Sequence, residues 1–155
     1  MPGEYVIARE SGDANYGELE PLYKQHYGEM RERLSANGQE IGEFNPRLNE
    51  YFEAWGAGWL LNYVVRLEGE PVGYANIYLT NDMHNGELIA QEDAIYMLPE
   101  HRNGTGKKLA QRILDDLREM GVKRAFIEPV TDLRVEVIWQ RMGFEPLATK
   151  MVYRF

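Results

Sequence analysis

The segment from Ile95 to Leu109, IYMLPEHRNGTGKKL, carries the most specific chemistry in this 155-residue chain. An apolar strand runs into Pro99, then a basic glycine loop, then a helix whose first N–H groups point back at whatever the loop holds. That is the architecture of a phosphate cradle. Gly104 and Gly106 let the backbone close on a pyrophosphate, the helix N-terminus adds roughly half a unit of positive charge, and Arg102, Lys107 and Lys108 add full charges nearby. Other glycine loops fit less well. A P-loop wants Ser or Thr after its lysine, where Lys108 follows Lys107, and a dinucleotide fingerprint wants a third glycine where Leu109 stands.

The residues around this loop, roughly 60 to 146, resemble the GNAT superfamily of acyl-CoA-dependent N-acetyltransferases. That family's loop reads Arg/Gln-x-x-Gly-x-Gly/Ala after a strand ending in apolar-x-Pro. Met97-Leu98-Pro99-Glu100-His101-Arg102 supplies the lead-in, with Asn103 alone between Arg102 and Gly104, so the loop is one residue short or His101 holds the arginine place. A second family mark is a helix ending in Tyr-x-x-x-Gly-Phe. Trp139-Gln140-Arg141-Met142-Gly143-Phe144 keeps that frame and replaces the tyrosine. The resemblance implies acetyl-CoA as acyl donor, bound by Ile95, Met97, Leu98, Arg102, Asn103, Gly104, Thr105, Gly106 and Lys107, with Trp139 as a wall of the cofactor site.

Acyl transfer to an amine makes two physical demands. The amine must lose a proton, since an alkylamine of pKa about 10.4 is neutral roughly once in a few thousand molecules at pH 7. A carboxylate near the thioester meets that need. Glu92 and Asp93 lie on opposite faces of their strand by its period of two, and Asp93 shares a face with Gln91, Ile95 and Met97. Relatives that acetylate small polyamines carry a glutamate six residues before the position of Pro99; that offset falls on Asp93, which ranks ahead of Glu92. The second demand is an N–H for the oxyanion, which the resemblance places in the Tyr96 to Leu98 stretch.

The leaving thiolate can be protonated by an acid. An indole is too weak an acid for this, so Tyr96, Tyr153 or water takes the part the family's tyrosine plays, or no acid is required. The aromatic-rich stretch from Tyr16 to Trp59 matches the helices that cover the family's acceptor site, so Tyr23, His26, Tyr27 and Glu43 are expected to face substrate. No His pairs with Asp or Glu at metal-ligand spacing, and no metal is expected.

Composition narrows the partners. A formal charge of −8 disfavours nucleic acid, whose affinity depends on clustered Lys and Arg. Cysteine is absent, which excludes a thiol nucleophile and so a covalent acyl-enzyme on sulfur. No leader and no run of eighteen apolar residues is seen, so the expectation is a cytoplasmic protein without membrane contact, with a homodimer as an option.

These residues need a frame. Tyr5 to Arg9 reads as a first strand ended by a turn at Ser11-Gly12-Asp13, followed by a helix through Leu19, Leu22, Tyr23, His26, Tyr27, Met30 and Leu34 that closes at Asn37-Gly38. A second helix after Pro46 carries Leu48, Tyr51, Phe52 and Trp55 to Gly58. Strands at 60–67, 72–79 and 88–97 form an antiparallel meander, with Asn85-Gly86 in one connection. The helix after the glycine loop buries Leu109, Ile113, Leu117 and Met120, and 125–127 must lie parallel to the strand before it because a helix crosses between them. Asp132 caps a last helix with Val135, Ile138, Trp139 and Met142 inward, and 144–155 give one or two final strands.

The chain is thus expected to be one α/β (α+β) domain over residues 1–155, with a GNAT-like mixed, mostly antiparallel sheet flanked by helices and one parallel strand pair splayed at the acyl-CoA site. The expected function is acetyl transfer to a primary amine of a small or peptide-like acceptor. The alternative is a catalytically weak module of the same fold that binds coenzyme A or a partner without turnover.

Overall fold

Leu60–Leu67 is apolar at every position but Asn62 and Arg66, as a strand covered on both faces must be. It becomes β2 of a five-stranded sheet in a computed structural model that describes residues 3–129 and 133–155. The strands are β1 (Tyr5–Glu10), β2, β3 (Glu70–Asn81), β4 (Leu88–Met97) and β5 (Arg124–Phe126), ordered β1-β2-β3-β4-β5. All neighbours are antiparallel except β4 and β5, which run parallel across the helical connection. The helices are α1 (Gly12–Ala36), α2 (Leu48–Ala57), α3 (Thr105–Glu119) and α4 (Leu133–Arg141).

Alternation along β2 divides the core in two. Leu61, Tyr63 and Val65 face α3, where Leu109, Ile113 and Leu117 complete one apolar layer; Leu60 and Val64 face α1 and α2, where Leu19, Tyr23 and Trp55 complete the other. Leu19 and Leu109 are fully buried, and each contributes on the order of 2 kcal/mol by leaving water. On α3 the residues expected to stay wet, Lys107, Lys108, Arg112, Asp115, Arg118 and Glu119, are exposed.

Four details depart from the sequence expectation. Gly12 does not sit in a turn but opens α1, and Trp55 packs against it so closely that a Cβ there would collide with the indole. On β4 the register against β3 shifts: Asn76 pairs with Ala94 and Ile77 with Glu92, leaving Asp93 as an extra residue. This is a β-bulge, and it resets the alternation. Ile95 and Met97 pack into the α3 layer while Tyr96 and Ala94 belong to the α1/α2 layer, so Asp93, which faces α2, does not share its face with Ile95 and Met97.

Third, the described residues after Arg141 contain no strand. An alternating apolar pattern makes a strand only where a partner takes its hydrogen bonds, and Pro146 lacks the donor altogether. Leu147, Met151 and Val152 are instead exposed, and the stretch is tied by polar contacts: Lys150 Nζ to Glu128 at 2.6 Å, and Arg154 Nη2 to the Glu40 carbonyl at 2.6 Å. Fourth, Ile138 on α4 is 48% exposed rather than inward, while Trp139 and Met142 are half-buried. The expected cap at Asp132 lies outside the described residues, as does the side chain of Val135.

Candidate active site

Two openings meet on β4. The first is the gap between β4 and β5. The parallel pairing covers only Ile89 to Gln91 on β4, whereas the pairing with β3 continues to Met97, so from Glu92 onward the β5-side edge of β4 has no strand beside it. Leu98 N–H donates to the Val72 carbonyl, and by the alternation of an antiparallel ladder Tyr96 also turns its amide to β3. Ile95 and Met97 therefore present theirs to the gap. The chain then makes a short 3-10 turn at Pro99–His101 and enters α3 through Gly104, whose φ of 96° is left-handed and unfavourable for residues with a side chain.

At the α3 N-terminus no side chain caps the free N–H groups, and no acidic residue occupies the first turn. A Cβ on Gly104 would meet nothing within 4 Å, so the loop borders open space. Thr105 is buried, with its hydroxyl donating to Asn103 Oδ1 at 2.7 Å, and Asn103 in turn reaches Tyr5 Oη at 3.3 Å. Gly106 already has an ordinary helical backbone. Lys107 and Lys108 are exposed on this turn. Arg102 is turned elsewhere: its Nε donates to the Met97 carbonyl at 2.9 Å, its Nη2 lies 3.0 Å from Glu29, and its guanidinium sits 5.4 Å from the centre of the Tyr96 ring.

The second opening is a cavity of about 260 Å³ between α1, α2 and the sheet. Tyr23, His26 and Tyr27 from α1 line it with Tyr51 and Trp55 from α2, and the bulge of β4 brings in Asp93 and Ala94. Tyr51 Oη donates to both carboxylate oxygens of Asp93, at 2.9 and 3.1 Å. Burial pushes the Asp93 carboxyl up from its ordinary value, with the Tyr51 and Tyr78 hydroxyls opposing. Burial also drives His26 down to about 4, so it is neutral at pH 7; its Nδ1 lies 2.6 Å from Tyr74 Oη. Glu43 is exposed and outside this lining.

Glu92 lies across the sheet. It joins Trp139, Ile113 and Phe126 in the wedge between α3, α4 and β5, where burial raises its carboxyl to about 7 against the pull of the Glu128 backbone N–H. Trp139 stands edge-on to Phe144 at 5.4 Å between ring centres. Tyr96 stacks on His26 at 4.6 Å; its buried hydroxyl has no hydrogen-bond partner among the described residues, and burial, then Glu29, raise it to about 12. Tyr153 is 79% exposed in the C-terminal stretch.

Sequence reasoning missed the polar floor of the cavity. Asn15 donates to Asn62 Oδ1 at 2.9 Å, Asn62 to Asn76 Oδ1 at 2.9 Å, and Trp55 Nε1 to the same Asn76 oxygen at 3.1 Å. Asn62 and Asn76 are register partners on β2 and β3. The signal was present as two asparagines inside otherwise apolar strands, because a buried amide persists only where its groups are paired. The role of Tyr51 as the partner of Asp93 was missed too; helical spacing marks it only as apolar.

A mostly antiparallel sheet with a late parallel pair opening beside a glycine-loop helix is the arrangement that the resemblance implied, and comparison agrees. Residues 20–144 match the Acetyltransferase (GNAT) family. The chain belongs to that family, a family of acyltransferases. It is 31% identical over 103 residues to the protein called uncharacterized N-acetyltransferase YjgM of Escherichia coli (strain K12), a match that covers 65% of this chain and 60% of that relative's length. Among solved structures it is similar in fold to the ribosomal-protein-alanine N-acetyltransferase of Brucella melitensis biovar Abortus 2308, with a TM-score of 0.72, 17% identity, and 97% of this chain and 99% of that one covered. It is also similar to the aminoglycoside N-acetyltransferase AAC(6')-Iy in complex with CoA, with a TM-score of 0.73, 17% identity, and 99% and 95% covered.

Proposed function

We propose that the protein transfers the acetyl group of acetyl-CoA directly to a primary amine of a small or peptide-like acceptor, both bound at once. The observation that carries this reading is the meeting of the two openings between Asp93 and Met97: the bulge turns Asp93 into the aromatic cavity, and the amides of Ile95 and Met97 face the gap beside it. When bound, a coenzyme A thioester supplies an acyl group activated for attack by nitrogen. The residues present fit it. The open-edge amides suit an extended amide-bearing arm, and the uncapped α3 N-terminus, the left-handed Gly104 and the two lysines suit a pyrophosphate.

Asp93 takes the proton that the acceptor ammonium must lose, and a raised carboxyl pKa makes it a better base than an exposed aspartate. As the amine nitrogen bonds to the acyl carbon and the carbon–sulfur bond breaks, negative charge on the carbonyl oxygen is met by an amide of the open β4 edge. Tyr96, held at about 12, keeps its proton, and the Trp139 indole is no acid, so solvent protonates the departing thiolate.

The test is thiol release from acetyl-CoA with a panel of primary amines. Asp93→Asn is expected to lower kcat by about 10²- to 10⁴-fold with acetyl-CoA affinity unchanged. Acetyl-CoA binding with no thiol release from any amine supports the non-catalytic module, which the tryptophan at 139 favours; no acetyl-CoA binding removes the transferase reading and the coenzyme A-binding module alike.

A further inference from the structure

The aromatic cavity is selective in what it leaves unpaired. Its walls are rings, among them Tyr23, Tyr27, Phe44, Tyr51, Trp55 and Tyr74, and most of their polar tips are already committed. Tyr27 Oη donates to the Gly42 carbonyl at 2.6 Å, Tyr74 Oη pairs with His26 Nδ1, and Trp55 Nε1 donates to Asn76. Asn76 Nδ2 donates to Tyr23 Oη at 3.2 Å, while its oxygen accepts from Trp55 and Asn62. The Tyr51 hydroxyl is spent on Asp93. Asp93 carries the charge and keeps spare capacity, since a carboxylate has about four acceptor positions and two hydroxyls, those of Tyr51 and Tyr78, approach it.

Among the described residues no Lys or Arg lines the cavity, and its one histidine is neutral at pH 7. The site therefore offers one negative charge and no positive one. An acceptor with a carboxylate or phosphate would bury an anion with no counter-charge, a desolvation penalty that nothing in the lining repays. A polycation would leave all but one ammonium without a carboxylate, and a ring face returns only part of what each loses on leaving water. One ammonium against Asp93, with its apolar body against the rings, meets neither penalty. Size agrees: an apolar cavity of about 150 Å³ takes up benzene, so about 260 Å³ accommodates a ring with a short aminoalkyl arm.

We infer that the acceptor is a compact, singly charged primary amine of the arylalkylamine class, carrying neither carboxylate nor phosphate. This rests on the transferase reading for the fate of the amine. Calorimetric titration of the coenzyme A-loaded protein with 2-phenylethylamine, L-phenylalanine, spermidine and kanamycin tests it. 2-Phenylethylamine is expected to bind roughly 100-fold more tightly than phenylalanine, which differs by one carboxylate, and at least about 10-fold more tightly than spermidine or kanamycin. Equal or tighter binding of any of the three, or no binding of 2-phenylethylamine, overturns the inference.

Thiol release, measured with the same four amines and acetyl-CoA, keeps the two failures apart. Phenylethylamine bound in the expected order but never acetylated sinks the transferase reading and leaves the ligand class standing. Preferred acetylation of spermidine or kanamycin does the reverse.

Discussion

Two neighbouring carboxylates divide the roles that pKa and position could each have assigned. Glu92, at about 7, is tuned as a base for neutral pH, yet it looks into the wedge between α3 and α4 among apolar side chains. Asp93 faces the acceptor cavity, and position decides, because a base must reach the proton it takes. Tyr51 then becomes the residue that sets its strength. A hydrogen bond to a charged carboxylate is worth about 1.5 to 3 kcal/mol, so removing the hydroxyl disfavours the ionised form. Tyr51→Phe is expected to move the acidic limb of the kcat/KM profile upward by about one pH unit or more while the plateau rate changes little. An unmoved limb, measured with a saturating acyl donor, would show that Asp93 is not the group that titrates in turnover.

At the scale of elements, the strand–loop–helix unit holds the donor side, and its backbone makes a sharp distinction between its glycines. Gly104 is left-handed at φ 96° with open space around it, whereas Gly106 is helical. Gly104→Val is expected to weaken acetyl-CoA binding by at least about 10-fold, because a branched residue must leave that conformation and turn the α3 N-terminus away, while Gly106→Ala keeps more of the affinity. Titration of acetyl-CoA into both folded variants checks it, and equal affinities would discard the left-handed turn as the feature that matters. This unit was legible in the sequence, as were the bounds of β2 and β4, since proline, glycine and apolar runs are local signals. The bulge at Asp93 was not, because it exists only as a register between β4 and β3, so the faces of Ile95 and Met97 were misread beyond it. The asparagine floor was half legible: Asn62 and Asn76 stand out in their strands, but their pairing across β2 and β3 is a tertiary fact. The C-terminal stretch misled, since its alternation promised strands that no neighbour is there to pair.

Taken as a whole, the molecule carries buried titrating groups whose effects on stability oppose each other, the carboxyls of Glu92 and Asp93 on one side and His26 on the other. Glu92 titrates at about 7 in the fold against an ordinary 4.5, so the folded state holds that proton more tightly; its contribution rises as pH falls from 7 to 4.5, and above 7 the buried carboxylate is a standing penalty. His26 titrates at about 4 against 6.5, so between pH 6.5 and 4 the unfolded chain takes the proton first and stability falls on acidification. The displacements are similar in size and opposite in sign, and from pH 6.5 down to 4.5 they largely cancel. The lowered carboxyls of Glu10 and Glu18, both held by Arg66, add a loss of stability as pH drops through their folded values. Glu92→Gln removes part of one side of the balance while retaining an oxygen for the Glu128 N–H. The variant is expected to be more stable than the parent at pH 8 by about 2 to 3 kcal/mol, to lose that advantage as pH approaches 4.5, and to fall more steeply in acid because only the raised Asp93 carboxyl then opposes the His26 effect. Urea unfolding at pH 8, 6.5 and 5 measures all three, and a constant offset between the two proteins across that range would mean that Glu92 titrates alike in the folded and unfolded chains.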